Sequence, residues 1–173
     1  MNKIFAFIFM CVSCVAAFAQ LPTVFENCTL GKSTPTEVMR VFSQKGFNPQ
    51  INDVGSIFVS IINAEHPIDK SIHKYCGTWW QSCYFNFENG VTQQILLQNI
   101  YNDIRFAKIY YNIVNDYLKE NHSRYYWKPI SPVSKSGYSE IEGVYYNSGK
   151  TYFKLFYGES EGYPVVCLDM YYR

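Results

Sequence analysis

Three runs of β-branched and aromatic residues close the chain: Tyr138–Tyr146, Lys150–Tyr157 and Tyr163–Tyr172. Only Asn147-Ser148-Gly149 and the segment from Gly158 to Gly162 separate them. Connections this short join antiparallel neighbours, because a parallel crossover needs a dozen or more residues. The last third is therefore predicted to be an antiparallel meander. A second alternating run, Thr78–Phe87, meets Val91–Gln98 across Glu88-Asn89-Gly90, with Gly90 able to take a positive φ, and predicts a hairpin. Ser56–Ile62 is a further β-branched strand, set off from Phe47–Ile51 by the turn residues Asn52-Asp53-Val54-Gly55. Ala64–Tyr75 and Ser131–Gly137 read as loops, with a short strand at Tyr125-Tyr126-Trp127 stopped by Pro129.

Only two segments carry helical spacing. Thr34-Pro35-Thr36-Glu37 is a capping box with proline at the first helical position, and Val38, Val41 and Phe42 follow at helical intervals. Gly46 can close that helix, predicted over 35–45. Ala107, Tyr110, Tyr111, Val114, Tyr117 and Leu118 predict the second, over 103–120. The order helix, strands, helix, strands favours an α+β fold over a parallel βαβ sheet. The expectation is two helix-plus-antiparallel-meander units, about 28–98 and 99–173, in one domain over 20–173. Their strands form one antiparallel sheet with both helices on one face.

The first residues, MNKIFAFIFMCVSCVAAFAQ, combine Lys3, an apolar run from Ile4 to Val15 and small residues at Ala17 and Ala19. This is the layout of a cleaved signal peptide over 1–19, which predicts a secreted protein of the periplasm or cell exterior. A lipid anchor on Cys14 is the lesser alternative, because Cys11-Val12-Ser13 lacks the leucine that usually precedes such a site. Cleavage after Ala19 would leave 154 residues with equal numbers of acidic and basic side chains, and no later apolar run long enough to span a bilayer. An apolar content of 48% excludes a disordered chain, and a net charge of +1 offers no footprint for nucleic acid. Cys28, Cys76, Cys83 and Cys167 would remain, an even number that suggests disulfides in an exported chain. Three pairings are possible, and buried free thiols are the alternative.

Leu30-Gly31-Lys32-Ser33, Glu37-Val38 and Lys45-Gly46-Phe47 give the chain a resemblance to a family of secreted bacterial helix-plus-strand repeats. That family includes β-lactamase inhibitor protein and the small outer-membrane lipoprotein of the barrel-assembly machinery. The match is sharp over Leu30 to Phe47, and the second half follows it in element order. The resemblance implies an α+β sandwich and a non-enzymatic binding role. It does not imply β-lactamase inhibition, since a fold does not fix a function.

No catalytic constellation stands out, which turns the reading away from an enzyme. Gly31-Lys32-Ser33 ends like a phosphate loop, but Glu26 occupies the place of its first glycine. His73 and Cys76, with Glu65-His66 upstream, do not complete a four-ligand metal set, so neither metal nor cofactor is expected. Glu140 and Glu142, two apart on one strand, are expected on the same face as solvated carboxylates rather than a glycosidase pair.

The aromatics are the distinctive feature: sixteen Tyr, thirteen Phe and three Trp. If Trp79, Cys83, Phe85 and Phe87 face the helices, alternation places Trp80 and Tyr84 on the open sheet face. The last strands would add Tyr152, Lys154, Asp169 and Tyr171. Trp80, Tyr84, Tyr152 and Tyr171 are therefore the candidate binding residues. The expected function is a secreted, non-catalytic binding or envelope-structural module for a protein or polymer partner. The alternatives are a carbohydrate-binding accessory protein and a small hydrolase with an unrecognised site.

Overall fold

The computed structural model describes residues 23–61, 74–122 and 125–173. The expected signal peptide over 1–19, and most of the expected Ala64–Tyr75 loop, lie outside them. The fold is α+β. A hairpin of β1 (Val24–Phe25) and β2 (Cys28–Thr29) precedes helix α1 (Pro35–Gln44). Strands β3 (Gln50–Ile51), β4 (Ile57–Ser60), β5 (Lys74–Tyr75), β6 (Thr78–Trp79), β7 (Ser82–Glu88) and β8 (Val91–Ile100) follow. Helix α2 (Ile104–His122) leads to β9 (Tyr126–Pro129), β10 (Val133–Lys135), β11 (Tyr138–Asn147), β12 (Thr151–Ser160) and β13 (Tyr163–Tyr172).

Among the described residues, nine strands make one antiparallel sheet in the order β10-β11-β12-β13-β8-β7-β4-β3, with β9 also on β11. The two predicted units meet where β13 pairs with β8, from Val165 opposite Ile100 to Tyr171 opposite Gln94. Both helices cover the same face. Val38 and Phe42 of α1, and Ala107, Tyr111, Val114 and Leu118 of α2, share one core with alternate strand residues. Those strand residues include Ile57, Val59, Cys83, Phe85, Ile95, Leu97, Leu155 and Leu168.

The capping box forms as expected. Thr34 Oγ1 accepts from the Glu37 amide at 3.3 Å, and Glu37 Oε2 accepts from the Thr34 amide at 2.8 Å. The Leu30–Ser33 segment is a joint between helix and sheet: the Gly31 amide donates to Thr92 O at 2.6 Å, and the Thr92 amide to Ser33 O at 2.8 Å. A Cβ at Gly31, where φ is 79°, would lie 2.8 Å from the Tyr172 ring. Glycine is thus required twice there, by the backbone and by the ring.

Several expectations are corrected. The strand expected over Thr78–Phe87 is broken after Trp79. β6 pairs with β5, and β7 starts at Ser82. Asn99 bridges the break: its amide donates to Trp79 O and its oxygen accepts from the Gln81 amide, both at 2.7 Å. The break interrupts the alternation, so Trp80 does not lie on the open face. Trp80 is 0% exposed, and its indole N–H donates to Tyr75 O at 3.0 Å. The Ser131–Gly137 loop contains β10, and the short strand after α2 includes Pro129, an edge position where a missing N–H is tolerated. The disulfide expectation is also overturned: Cys28, Cys76, Cys83 and Cys167 are all buried free thiols. Cys83 packs in the helix-side core and Cys167 in a second cluster with Phe156 and Val165, so the sheet separates them.

Candidate functional site

The face away from the helices has rungs that can be read straight across the sheet. One runs Phe58, Tyr84, Leu96, Asp169, Lys154, Tyr145, Lys128, each the register partner of the next. Beside it Asn86, Gln94, Tyr171, Tyr152 and Asn147 form a second. Three of the expected residues, Tyr84, Tyr152 and Tyr171, lie together on these rungs, and Trp80 does not. Tyr152 and Tyr171 stack with centroids 4.7 Å apart and planes 12° from parallel. Phe58 and Tyr84 pair at 4.7 Å at the other end.

Between the aromatic ends sits a polar cluster. Asp169 is buried; its Oδ1 accepts from Gln94 Nε2 at 2.7 Å and its Oδ2 from the Tyr171 hydroxyl. Asn86 donates to Gln94 Oε1 at 2.5 Å, which orients the amide that serves Asp169. Burial lifts the Asp169 carboxyl to about 6; the Tyr171 and Gln94 hydrogen bonds and the Lys154 charge oppose that rise. Glu140 is buried as well and accepts from the Tyr138 hydroxyl at 2.5 Å and from Lys154 Nζ. To reach it, the Lys154 ammonium passes over the Phe156 ring, 4.9 Å from its centroid.

A bulge makes this arrangement possible. The register of β11 on β12 shifts between Glu140 and Glu142, so Glu140 stands opposite Gly158 and Glu142 opposite Tyr157. The extra residue, Ile141, sends the two glutamates to opposite faces. The expectation that they share a face is thereby corrected. Glu142 is exposed and joins Tyr157, whose hydroxyl donates to it at 3.5 Å. Tyr157 belongs to the helix-side core.

Two hollows lie on the open face. One, about 410 Å³, is bordered by Tyr84, Tyr138, Lys154, Phe156, Asp169 and Tyr171. The other, about 370 Å³, is bordered by Lys128, Tyr145, Asn147, Tyr152 and Arg173. Arg173 sits 5.0 Å over the Tyr152 ring and Lys128 6.0 Å over Tyr145. The buried carboxylates are engaged by the sheet's own donors. Burial pushes the Cys167 thiol up, which keeps it protonated and weakly nucleophilic at neutral pH. Among the described residues, no group of three or more His, Cys, Asp or Glu side chains converges as a metal site would require. What the face presents is a set of aromatic rings around hydrogen-bonded polar groups.

Sequence reasoning missed Phe58, Gln94, Tyr138, Glu140 and Tyr145 as members of this face. Alternation alone could have placed Phe58 and Tyr145; Glu140 depends on the bulge, which leaves no plain signature in the chain. No family model matches this chain, and no curated protein or solved structure matches it either.

Proposed function

We propose that this chain is a secreted, non-catalytic binding module that engages a protein or extracellular polymer through its open sheet face. The observation that carries the reading is the pair of rungs that the described residues leave uncovered. Large rings stand half-buried beside two carboxylates that the protein's own donors hold in place. Tyrosine offers contact area at low entropic cost and is enriched where partners are held. The leader-like N-terminus supports export, and intact mass of the exported chain tests cleavage after Ala19.

The test of the face is affinity capture from an envelope extract with the immobilised chain, beside a Tyr84→Ala, Tyr171→Ala double variant and a Glu37→Gln control on α1. A species retained by the parent and the control, and lost by the double variant, is the expected result. Equal retention by all three sinks the proposal. A second reading, carbohydrate binding, draws support from the hollow at Tyr145 and Tyr152, whose rings border polar donors. Calorimetric titration with oligosaccharides separates it from a protein partner, and the Tyr152→Ala variant should abolish any heat that is seen.

A further inference from the structure

Helix α2 carries a second apolar stripe that the fold does not use. Phe106, Ile109 and Ile113 are 53%, 51% and 41% exposed. At 3.6 residues per turn they fall within about 60° of arc, well away from the face of Ala107, Tyr111, Val114 and Leu118 that enters the core. Single exposed apolar residues need no explanation, but three in a continuous stripe on one helix mark a contact surface.

The charges beside the stripe identify what fits it. Arg105 and Asp116 lie on the same flank, within about 20° of each other around the helix, one towards each end of the stripe. In an antiparallel helix pair, each flank meets the same flank of its partner, so a basic start faces an acidic end twice over. We propose that the stripe is the two-fold interface of a homodimer, in which α2 packs antiparallel on α2 of a second copy. A two-fold axis near Tyr110 and Tyr111 sets Ile109 of one copy beside Ile113 of the other. It also brings Arg105 of each within reach of Asp116 of its mate. Arg105 now holds Asp103 at 2.5 Å, an exposed pair that gives way at little cost. The stripe and the open sheet face are on opposite sides of the molecule, so the dimer presents two open faces outward. It stands or falls independently of the binding proposal above.

Sedimentation equilibrium of the exported chain tests this, with vesicle flotation beside it. The interface is small, so a reversible dimer is expected between about 10 µM and 1 mM. Ile109→Asp should weaken it at least about tenfold by setting a charge in the apolar stripe. Arg105→Asp and Asp116→Arg should each weaken it about tenfold, because each places two like-charge contacts across the axis. The double charge swap should restore it. If Ile109→Asp unfolds the chain, as circular dichroism would reveal, the surface charge variants decide alone. A monomer up to about 1 mM overturns the proposal. So does a dimer unaffected by Ile109→Asp, or one the double swap fails to restore. A chain that stays monomeric yet floats with anionic phosphatidylglycerol vesicles also overturns it, by showing that a membrane surface takes the stripe.

Discussion

Burial lifts the Asp169 carboxyl from its ordinary 3.8 to about 6, and the sign of the consequence follows directly. Between these values the folded chain holds a proton that the unfolded chain has shed. Stability therefore falls as pH rises through the window, and the whole loss is present above about pH 6. A shift of roughly two units corresponds to at most about 3 kcal/mol. Asp169→Asn keeps an acceptor for Gln94 and removes the charge. It should be more stable than the parent at pH 7 to 8 by up to about 3 kcal/mol, with the gap closing towards pH 4. Thermal melts of both proteins across this range check it. A difference that does not change with pH would mean that Asp169 titrates normally in the fold. Lys154 and Glu140, the charged groups nearest on β12 and β11, act on this carboxyl in opposite directions. The comparison at one pH with Asp169 alone altered leaves both in place.

At the scale of the element, the β11 bulge depends on Gly158. A Cβ there would lie 1.9 Å from Ser139 O, a distance no side chain can accept, so the backbone of one strand must move. Gly158→Ala should cost about 3 kcal/mol, read from urea melts, and should displace Glu140 from Lys154. Unchanged stability would show that the bulge can relax. The same element shows what could be read from the chain and what could not. The α1 capping box, the β7–β8 hairpin turn at Asn89-Gly90 and the three closing strands were legible, because each rests on local chemistry: a cap, a positive φ, a period of two. The faces of Tyr84, Tyr152, Lys154, Asp169 and Tyr171 followed from that period within unbroken strands. Trp80 and Glu140 did not, because the alternation fails beside each of them, where long-range contacts impose an irregularity. Asn99, eighteen positions beyond Gln81, stabilises one break, and Gly158 on the next strand admits the other. The β1–β2 hairpin was also missed; its turn uses Glu26 and Asn27 at φ of 51° and 68°, without the glycine that announces such turns.

At the scale of the molecule, the two helix-plus-strand units are halves of one sheet rather than neighbours in contact. β8 and β13, which join them, are central strands with long ladders on both sides. α2 lies against β12 and β13 of the second half, while it also meets β6 of the first. A chain cut between Ile100 and Tyr101 would leave β8 and β13 as exposed edges, each with a row of unpaired amides and carbonyls and an uncovered apolar face. Neither half should then fold alone, since each loses the neighbour that covers its middle. The intact chain should unfold in one transition, with calorimetric and van't Hoff enthalpies equal and fluorescence and circular dichroism melts superimposed. Separate expression of 20–100 and 101–173 should yield chains without dispersed amide resonances, and mixing them should restore the ladder and the fold. Two resolved transitions in the intact chain, or a half that folds by itself, would mean that the β8–β13 seam is a docking contact between finished units. The open face, whose rungs cross that seam between Leu96 and Asp169, would then be assembled only after each unit had formed.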